Sequence, residues 1–116
     1  MAVVCKAPDL LNPPSGFCAG CGHGIINRIL AEILEEMELD EKTIISLAVG
    51  CSCIMGNYFG VDDIQAPHGR APATATGIKR LQPDKVVLTY QGDGDLSSIG
   101  CAEIIHAAAR NEKIST

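Results

Sequence analysis

Two short runs constrain this chain more than anything else in it. TIISLAVG (43–50) and KVVLTYQG (85–92) are apolar at most positions, rich in β-branched residues, and each ends on a glycine. They are too short to be helices of their own and lack the alternation of a half-exposed strand, so they read as buried strands over about 44–49 and 85–91. Strands buried on both faces belong to parallel sheets covered by helices. The segments around them supply those helices. Ile25, Ile26, Ile29, Leu30, Ile33, Leu34 and Met37 recur at helical spacing, which predicts a helix over 24–38 with that face inward and Asn27, Arg28, Glu32, Glu35 and Glu36 in water.

The small-residue stretch APATATGIKRL predicts a second helix over 71–81. A third begins near Ser97, with Leu96, Ile99, Ala102, Ile105 and Ala109 on its inner face and Asn111 as its C-cap. Residues 51–70 read as a long loop or short irregular helix, and KIST as the opening of a further strand. The alternation gives an α/β fold, a doubly wound parallel sheet with helices on both faces. At 116 residues the chain is one domain, with 1–16, carrying Pro8, Pro13 and Pro14, as an extended lead-in arm.

Charge and cysteine usage narrow the chemistry. The net charge is −5 and the nine basic residues form no block, which excludes nucleic-acid binding by a basic stripe and a polybasic membrane anchor. The apolar start is broken by Lys6, Pro8 and Asp9, unlike a signal peptide, and no stretch approaches the roughly 20 apolar residues of a membrane span. The chain reads as cytoplasmic, so its six cysteines are metal ligands or buried thiols rather than disulfides.

Two motifs carry chemistry. In QGDGD (91–95) a buried strand runs into glycines and acids ahead of a helix. Gly92 and Gly94 let backbone approach a phosphate, and an aspartate there can offer oxygen to Mg²⁺. The same letters also fit an Asp-Gly turn with a serine helix cap. In GFCAGCGHG (16–24), Cys18 and Cys21 are spaced for an iron–sulfur site, a zinc site or a redox dithiol, and Cys51 is a third thiol at a strand end. Cys5, Cys53 and Cys101 read as small buried or idle thiols and His106 as structural, while His68 and Arg70 in HGR could face an anion.

CAGCGHG, GCSCIMGN, HGRAPATATGIK and QGDGD, in this order, resemble the β subunit of the 2-oxoacid:ferredoxin oxidoreductases, over residues 16–116. The resemblance implies a thiamine diphosphate-binding subunit. Asp93 matches the family's Mg²⁺ ligand beside Gly92 and Gly94. Cys18, Cys21 and Cys51 match three of four thiolates of a 4Fe-4S cluster. His23, Ser52, His68 and Arg70 lie in loops that line the cofactor and substrate pocket. The implied reaction is oxidative decarboxylation of a 2-oxoacid to an acyl-CoA, with electrons passed to ferredoxin. The implied partners are an alpha subunit and, in some enzymes, gamma and delta subunits, with coenzyme A and the 2-oxoacid as substrates. The family's downstream metal-motif Asn and fourth cysteine fall past Thr116, so the chain matches the amino-terminal part of such a subunit. Two other readings stand beside this one: a non-catalytic fragment that folds and associates with partner subunits, and a small zinc protein using Cys18, Cys21, Cys51 and Cys53.

Overall fold

The structure, a computed structural model, describes residues 6–116; Cys5 and part of the lead-in arm lie outside the described residues. Three strands form one parallel sheet: β1 (Thr43–Leu47), β2 (Asp62–Gln65) and β3 (Val86–Tyr90), in the order β2-β1-β3. Ile45 of β1 pairs with Asp63 on one side and Leu88 on the other. Because side chains alternate across a strand, the sheet sends Ile45, Leu47, Leu88 and Tyr90 to one face and Ser46, Val87 and Thr89 to the other. Helix α1 (Gly22–Glu36) covers the first face, where Ala31 and Leu34 join Ile45, Leu47, Met55 and Phe59 in the main core. Helix α2 (Ala71–Leu81) covers the second, with Ala71 packed on Ala48 and Ala66. The doubly wound α/β arrangement read from the sequence is the fold observed. The C-terminal letters also pair as expected: Ser115 bridges Leu88 in parallel, and Thr89 N–H donates to Ser115 O at 2.7 Å.

Four expectations are corrected. First, β2 lies in the segment read as loop. All four of its residues, DDIQ, are exposed, so the apolar signature of a strand is absent. Charged residues on an edge strand discourage further pairing. Second, α1 is rotated from the expected phase, and of the expected inner face Leu30 and Leu34 alone pack on the main core. Its buried positions are Asn27, Ala31 and Leu34, whereas Ile25 is 65% exposed, Ile29 50% and Met37 62%. The widest apolar arc of the helix is therefore not the arc that meets this sheet. Glu35, expected in water, accepts the Leu10 N–H at 2.7 Å.

Third, a π-helical turn (Gly94–Ile99) precedes α3 (Cys101–Ala109). A π turn inserts a residue relative to an α-helix and shifts the phase of every later side chain. Ile99 and Ile105 consequently face out, while Ala107 is buried. Ser97 does not cap the helix; its hydroxyl donates to Asp93 O at 2.6 Å. Asn111 does end α3: it takes φ 53°, and the N–H groups of Asn111 and Glu112 return to Ala108 O and Ala107 O. Fourth, His106, read as structural, is exposed, and Cys53 and Cys101, read as buried or idle thiols, are exposed as well, so the buried alternative does not hold for them. The described part of the arm is docked, not free: Leu10 is buried, Leu11 bridges Phe59, and Asn12 N–H donates to Tyr58 O at 2.7 Å.

The carboxyl-terminal edge of the sheet is held by one carboxylate. The π turn points Asp95 inward until its side chain is 1% exposed. Its Oδ1 accepts Gly69 N–H at 2.9 Å, His68 Nδ1–H at 2.5 Å and, more weakly, Val49 N–H at 3.4 Å, while Oδ2 accepts Gln91 Nε2–H at 2.5 Å. The segments that follow all three strands thus converge on it. Gly69 and Gly100 make this closure possible. Gly69 has φ +74°, and a Cβ on Gly100 would sit 2.6 Å from the carbonyl oxygens of Asp95 and Gly69.

Burial alone raises the Asp95 pKa, but the bonds from Gly69, Gln91, His68 and Val49 outweigh it and hold the carboxyl below its ordinary value. The carboxylate therefore adds stability above the ordinary carboxylate range, and that contribution fades as pH falls through the depressed folded value.

Denaturant titrations of four variants check this packing. Leu34→Ala should cost about 2–5 kcal/mol, whereas Ile29→Glu should stay within about 0.5 kcal/mol. Gly100→Ala should cost about 1–3 kcal/mol, because only backbone could move to admit the methyl. Asp95→Asn sets an amide N–H against the Gln91 N–H and should cost on the order of 2 kcal/mol at neutral pH. The wild type should lose stability more steeply than this variant below about pH 4.

Candidate active site

In parallel sheets, ligands sit at the carboxyl ends of the strands where the strand order reverses. Here β1 has β2 on one side and β3 on the other, and at that edge lies an open cavity of ≈ 450 Å³. Its walls come from the turn after β1 (Val49–Ser52), His68 ahead of α2, the π turn after β3, and His23 at the start of α1. Of the residues singled out from the sequence, His23, Cys51, Ser52, His68, Gly92 and Gly94 line it. Asp93, Arg70, Cys18 and Cys21 stand outside this lining. Asp93 is exposed beside it, and Arg70 is drawn away into an ion pair with Glu103 of α3 at 2.5 Å.

The glycines of the floor answer to no packing need. A Cβ placed on Gly92, Gly94 or Gly50 meets no atom within 4 Å. Their missing side chains leave open room against the backbone, which suits a phosphate-bearing group. Asp93, exposed between two glycines, is a hard oxygen donor of the kind Mg²⁺ takes together with phosphate oxygens.

Ser52 is buried at the foot of the cavity, its hydroxyl within 3.5 Å of Ala48 O. Cys18 and Cys21 flank a tight turn around Gly20 (φ 77°), closed by Cys21 N–H donating to Cys18 O at 3.0 Å. Cys18, Cys21 and Cys51 are free thiols, the donor type an iron–sulfur centre needs. They are not gathered, however: among the described residues no group of three or more His, Cys, Asp or Glu side chains is set to hold a metal ion.

Both cavity histidines are anchored from behind. His68 Nδ1 is bound to Asp95. His23 Nδ1 is hydrogen-bonded to Tyr90 Oη, and its ring stacks on Phe17 with centroids 4.8 Å apart. Asn27, fully buried on α1, donates from Nδ2 to His23 O at 2.7 Å and to Tyr90 Oη at 3.4 Å. Burial raises the Tyr90 pKa and keeps the phenol protonated. Sequence reasoning did not assign Asn27, Tyr90 or Asp95. Asp95 stood in the quoted GDGD, but only the π turn decides which aspartate enters the fold. Asn27 looked like a surface residue because the helix was phased on its isoleucines.

Comparison with known proteins places this geometry. Residues 48–116 match the model of the thiamine pyrophosphate enzyme family, C-terminal TPP binding domain. The ketoisovalerate oxidoreductase subunit VorA of Methanothermobacter thermautotrophicus is 48% identical over 99 residues, 85% of this chain and 21% of that protein. The 2-oxoglutarate synthase subunit KorB of Methanocaldococcus jannaschii is 40% identical over 99 residues, 84% of this chain and 37% of that protein. A solved 2-oxoglutarate:ferredoxin oxidoreductase from Magnetococcus marinus, with 2-oxoglutarate, coenzyme A and succinyl-CoA bound, superposes with a TM-score of 0.87 at 32% identity, over 94% of this chain and 38% of that one. The chain thus spans between about a fifth and two fifths of the length of these relatives. A match over more than half of its residues, centred on the strand-end cavity, makes this chain a member of the thiamine pyrophosphate enzyme family.

Proposed function

We propose that this chain is the thiamine diphosphate-binding part of a 2-oxoacid:ferredoxin oxidoreductase β subunit. The observation that carries the reading is the cavity at the carboxyl edge of a parallel sheet, floored by Gly92 and Gly94, whose bare backbone no packing contact explains. Gly92 and Gly94 would leave room to hold the diphosphate, and Asp93 would supply a carboxylate oxygen to the Mg²⁺ that neutralises it. Thiamine diphosphate, when bound, supplies the electron sink that lets a 2-oxoacid lose carbon dioxide.

The chain's own residues shape the setting. Asp95 fixes the loops in place before any ligand arrives, so little ordering is left to be done on binding. His23, Ser52 and His68 offer polar atoms from the walls, and Val49 and Ile99 give the lining its apolar part. Arg70, tied to Glu103, steadies the start of α2 against α3. Residue type, spacing and resemblance support Cys18, Cys21 and Cys51 as thiolates of a 4Fe-4S cluster. The relatives are named as subunits, in keeping with an alpha subunit and further subunits, ferredoxin and coenzyme A as partners of this chain. Among the described residues no helix is long and apolar enough to cross a membrane, in keeping with a cytoplasmic enzyme.

The test uses the full-length subunit in its assembled complex, prepared without oxygen. Asp93→Ala should weaken thiamine diphosphate binding in the presence of Mg²⁺ by at least about tenfold in a calorimetric titration; unchanged affinity would sink the ligand assignment. Cys21→Ser should lower iron and sulfide per chain while leaving thiamine diphosphate affinity largely unchanged. Full iron content in that variant would remove the cysteine assignment. Turnover with ketoisovalerate against 2-oxoglutarate, with ferredoxin as acceptor, identifies the substrate, and turnover of neither would overturn the reading of activity.

A further inference from the structure

The two histidines of the cavity differ in what stands behind them, and that difference fixes where their protons lie. Behind His23, the donors can be followed one by one. The Asn27 amide nitrogen lies 2.7 Å from the backbone oxygen of His23, which only accepts, so that atom is the NH₂ group. Its second N–H is directed at Tyr90 Oη, 3.4 Å away. Tyr90 Oη receives a hydrogen from Asn27, and among the described residues the one acceptor within reach of its own O–H is His23 Nδ1, so the hydroxyl donates there. A ring nitrogen that accepts carries no hydrogen, so the neutral His23 ring bears its proton on Nε2. Rotating the ring by half a turn would put a carbon against the tyrosine hydroxyl and leave that hydroxyl without an acceptor.

Behind His68 the sense is reversed. Both oxygens of the buried Asp95 carboxyl already take N–H donors, Gly69 and Val49 on Oδ1 and Gln91 on Oδ2, so the group is acceptor-only and His68 Nδ1 must carry the hydrogen in the 2.5 Å bond. In the neutral ring Nε2 then holds a free lone pair. Among the described residues neither Nε2 has a hydrogen-bond partner, and both histidines line the same cavity.

We infer that the cavity is wired with one imidazole of each kind: His23 as a hydrogen-bond donor through Nε2–H, and His68 as an acceptor through Nε2, with Asn27, Tyr90 and Asp95 as the positioning residues. Asn27 supports this on energetic grounds. It is fully buried on the sheet-facing side of α1, and its Oδ1 has no hydrogen-bond partner, a cost that an apolar residue of similar size would avoid. Only its NH₂ group is used, and both of its bonds go to the His23–Tyr90 pair. The wiring rests on hydrogen bonds alone; its use rests on the function proposed above. On that reading His23 serves an oxyanion of the bound ligand, a phosphate or carboxylate oxygen, and His68 serves a ligand O–H, N–H or S–H.

The tautomers can be read directly. Full-length subunit carrying ¹³C,¹⁵N-histidine, in its assembled complex, is measured by magic-angle-spinning carbon–nitrogen correlation at a series of alkaline pH values, and the tautomer is read from the spectra of the neutral rings. His23→Gln and His68→Gln difference spectra assign the two rings. The expected wild-type result is a protonated Nε2 and a bare Nδ1 for His23, and the reverse for His68, which is the form an unconstrained imidazole disfavours. Tyr90→Phe, which removes one hydroxyl, should move the His23 Nδ1 resonance to the position of a free, unbonded ring nitrogen and leave His68 where it was. Protonation of His23 on Nδ1, protonation of His68 on Nε2, or a Tyr90→Phe spectrum identical to wild type would each overturn the inference. Thiamine diphosphate binding in the same samples keeps the two readings apart. Correct tautomers without cofactor binding would count against the function alone, and bound cofactor with the wrong tautomers against the wiring alone.

Discussion

Everything at the working edge of this molecule depends on the Asp95 carboxylate. A buried charge is costly unless its lone pairs are filled, and here the fillers are the ends of three separate strands. Val49 comes from the turn after β1, His68 and Gly69 from the turn after β2, and Gln91 from the position just after β3. Remove the charge and each of those segments loses the same anchor. The π turn that delivers Asp95 and the bare-backbone approach of Gly69 to Gly100 are the local irregularities this arrangement requires. Both irregularities sit where the regular rules of helix phase and side-chain packing would have placed something else.

Most of the architecture was legible in the sequence, for physical reasons that can be named. The buried runs at 44–49 and 85–91 marked strands because a strand covered on both faces has no polar side to show. Helix α2 was legible from its run of small residues, and the structure places Pro72 in its first turn, where a missing N–H costs nothing. Strand β2 was hidden because it lies at an edge with both faces wet, so nothing in DDIQ distinguishes it from a loop. The phase of α3 was hidden by the π turn, which no residue pattern announces. At the site, glycines and histidines in turns were readable, since few other residues suit those positions. The hydrogen-bonded residues behind them were not. Asn27 and Tyr90 are 63 positions apart and meet only once the helix has docked on the sheet.

Helix α1 shows the limit of reading amphipathicity from sequence. Its isoleucines form a clear stripe, and that stripe faces out: Ile25, Ile26, Ile29, Ile33 and Met37 are all substantially exposed. The side that meets the sheet is a narrow line of Asn27, Ala31 and Leu34. A small residue at 31 brings the helix close, and an amide at 27 reaches the tyrosine. Periodicity measures where a helix is apolar, and a helix apolar on more than one side leaves its orientation to be decided by what it must touch.

The strand order also says something about how this molecule comes together. Every strand pair is parallel and none is joined by a tight turn, so no two neighbouring segments can zip up early as a local nucleus. Each pairing requires a long stretch of chain to be closed first, and that entropy is lost before any contact repays it. The recess between β1 and β3 needs the whole crossover to be complete, and His23 joins it from the start of α1. Its walls come from segments far apart in the chain, so the recess is complete only when the sheet and α1 are both in place.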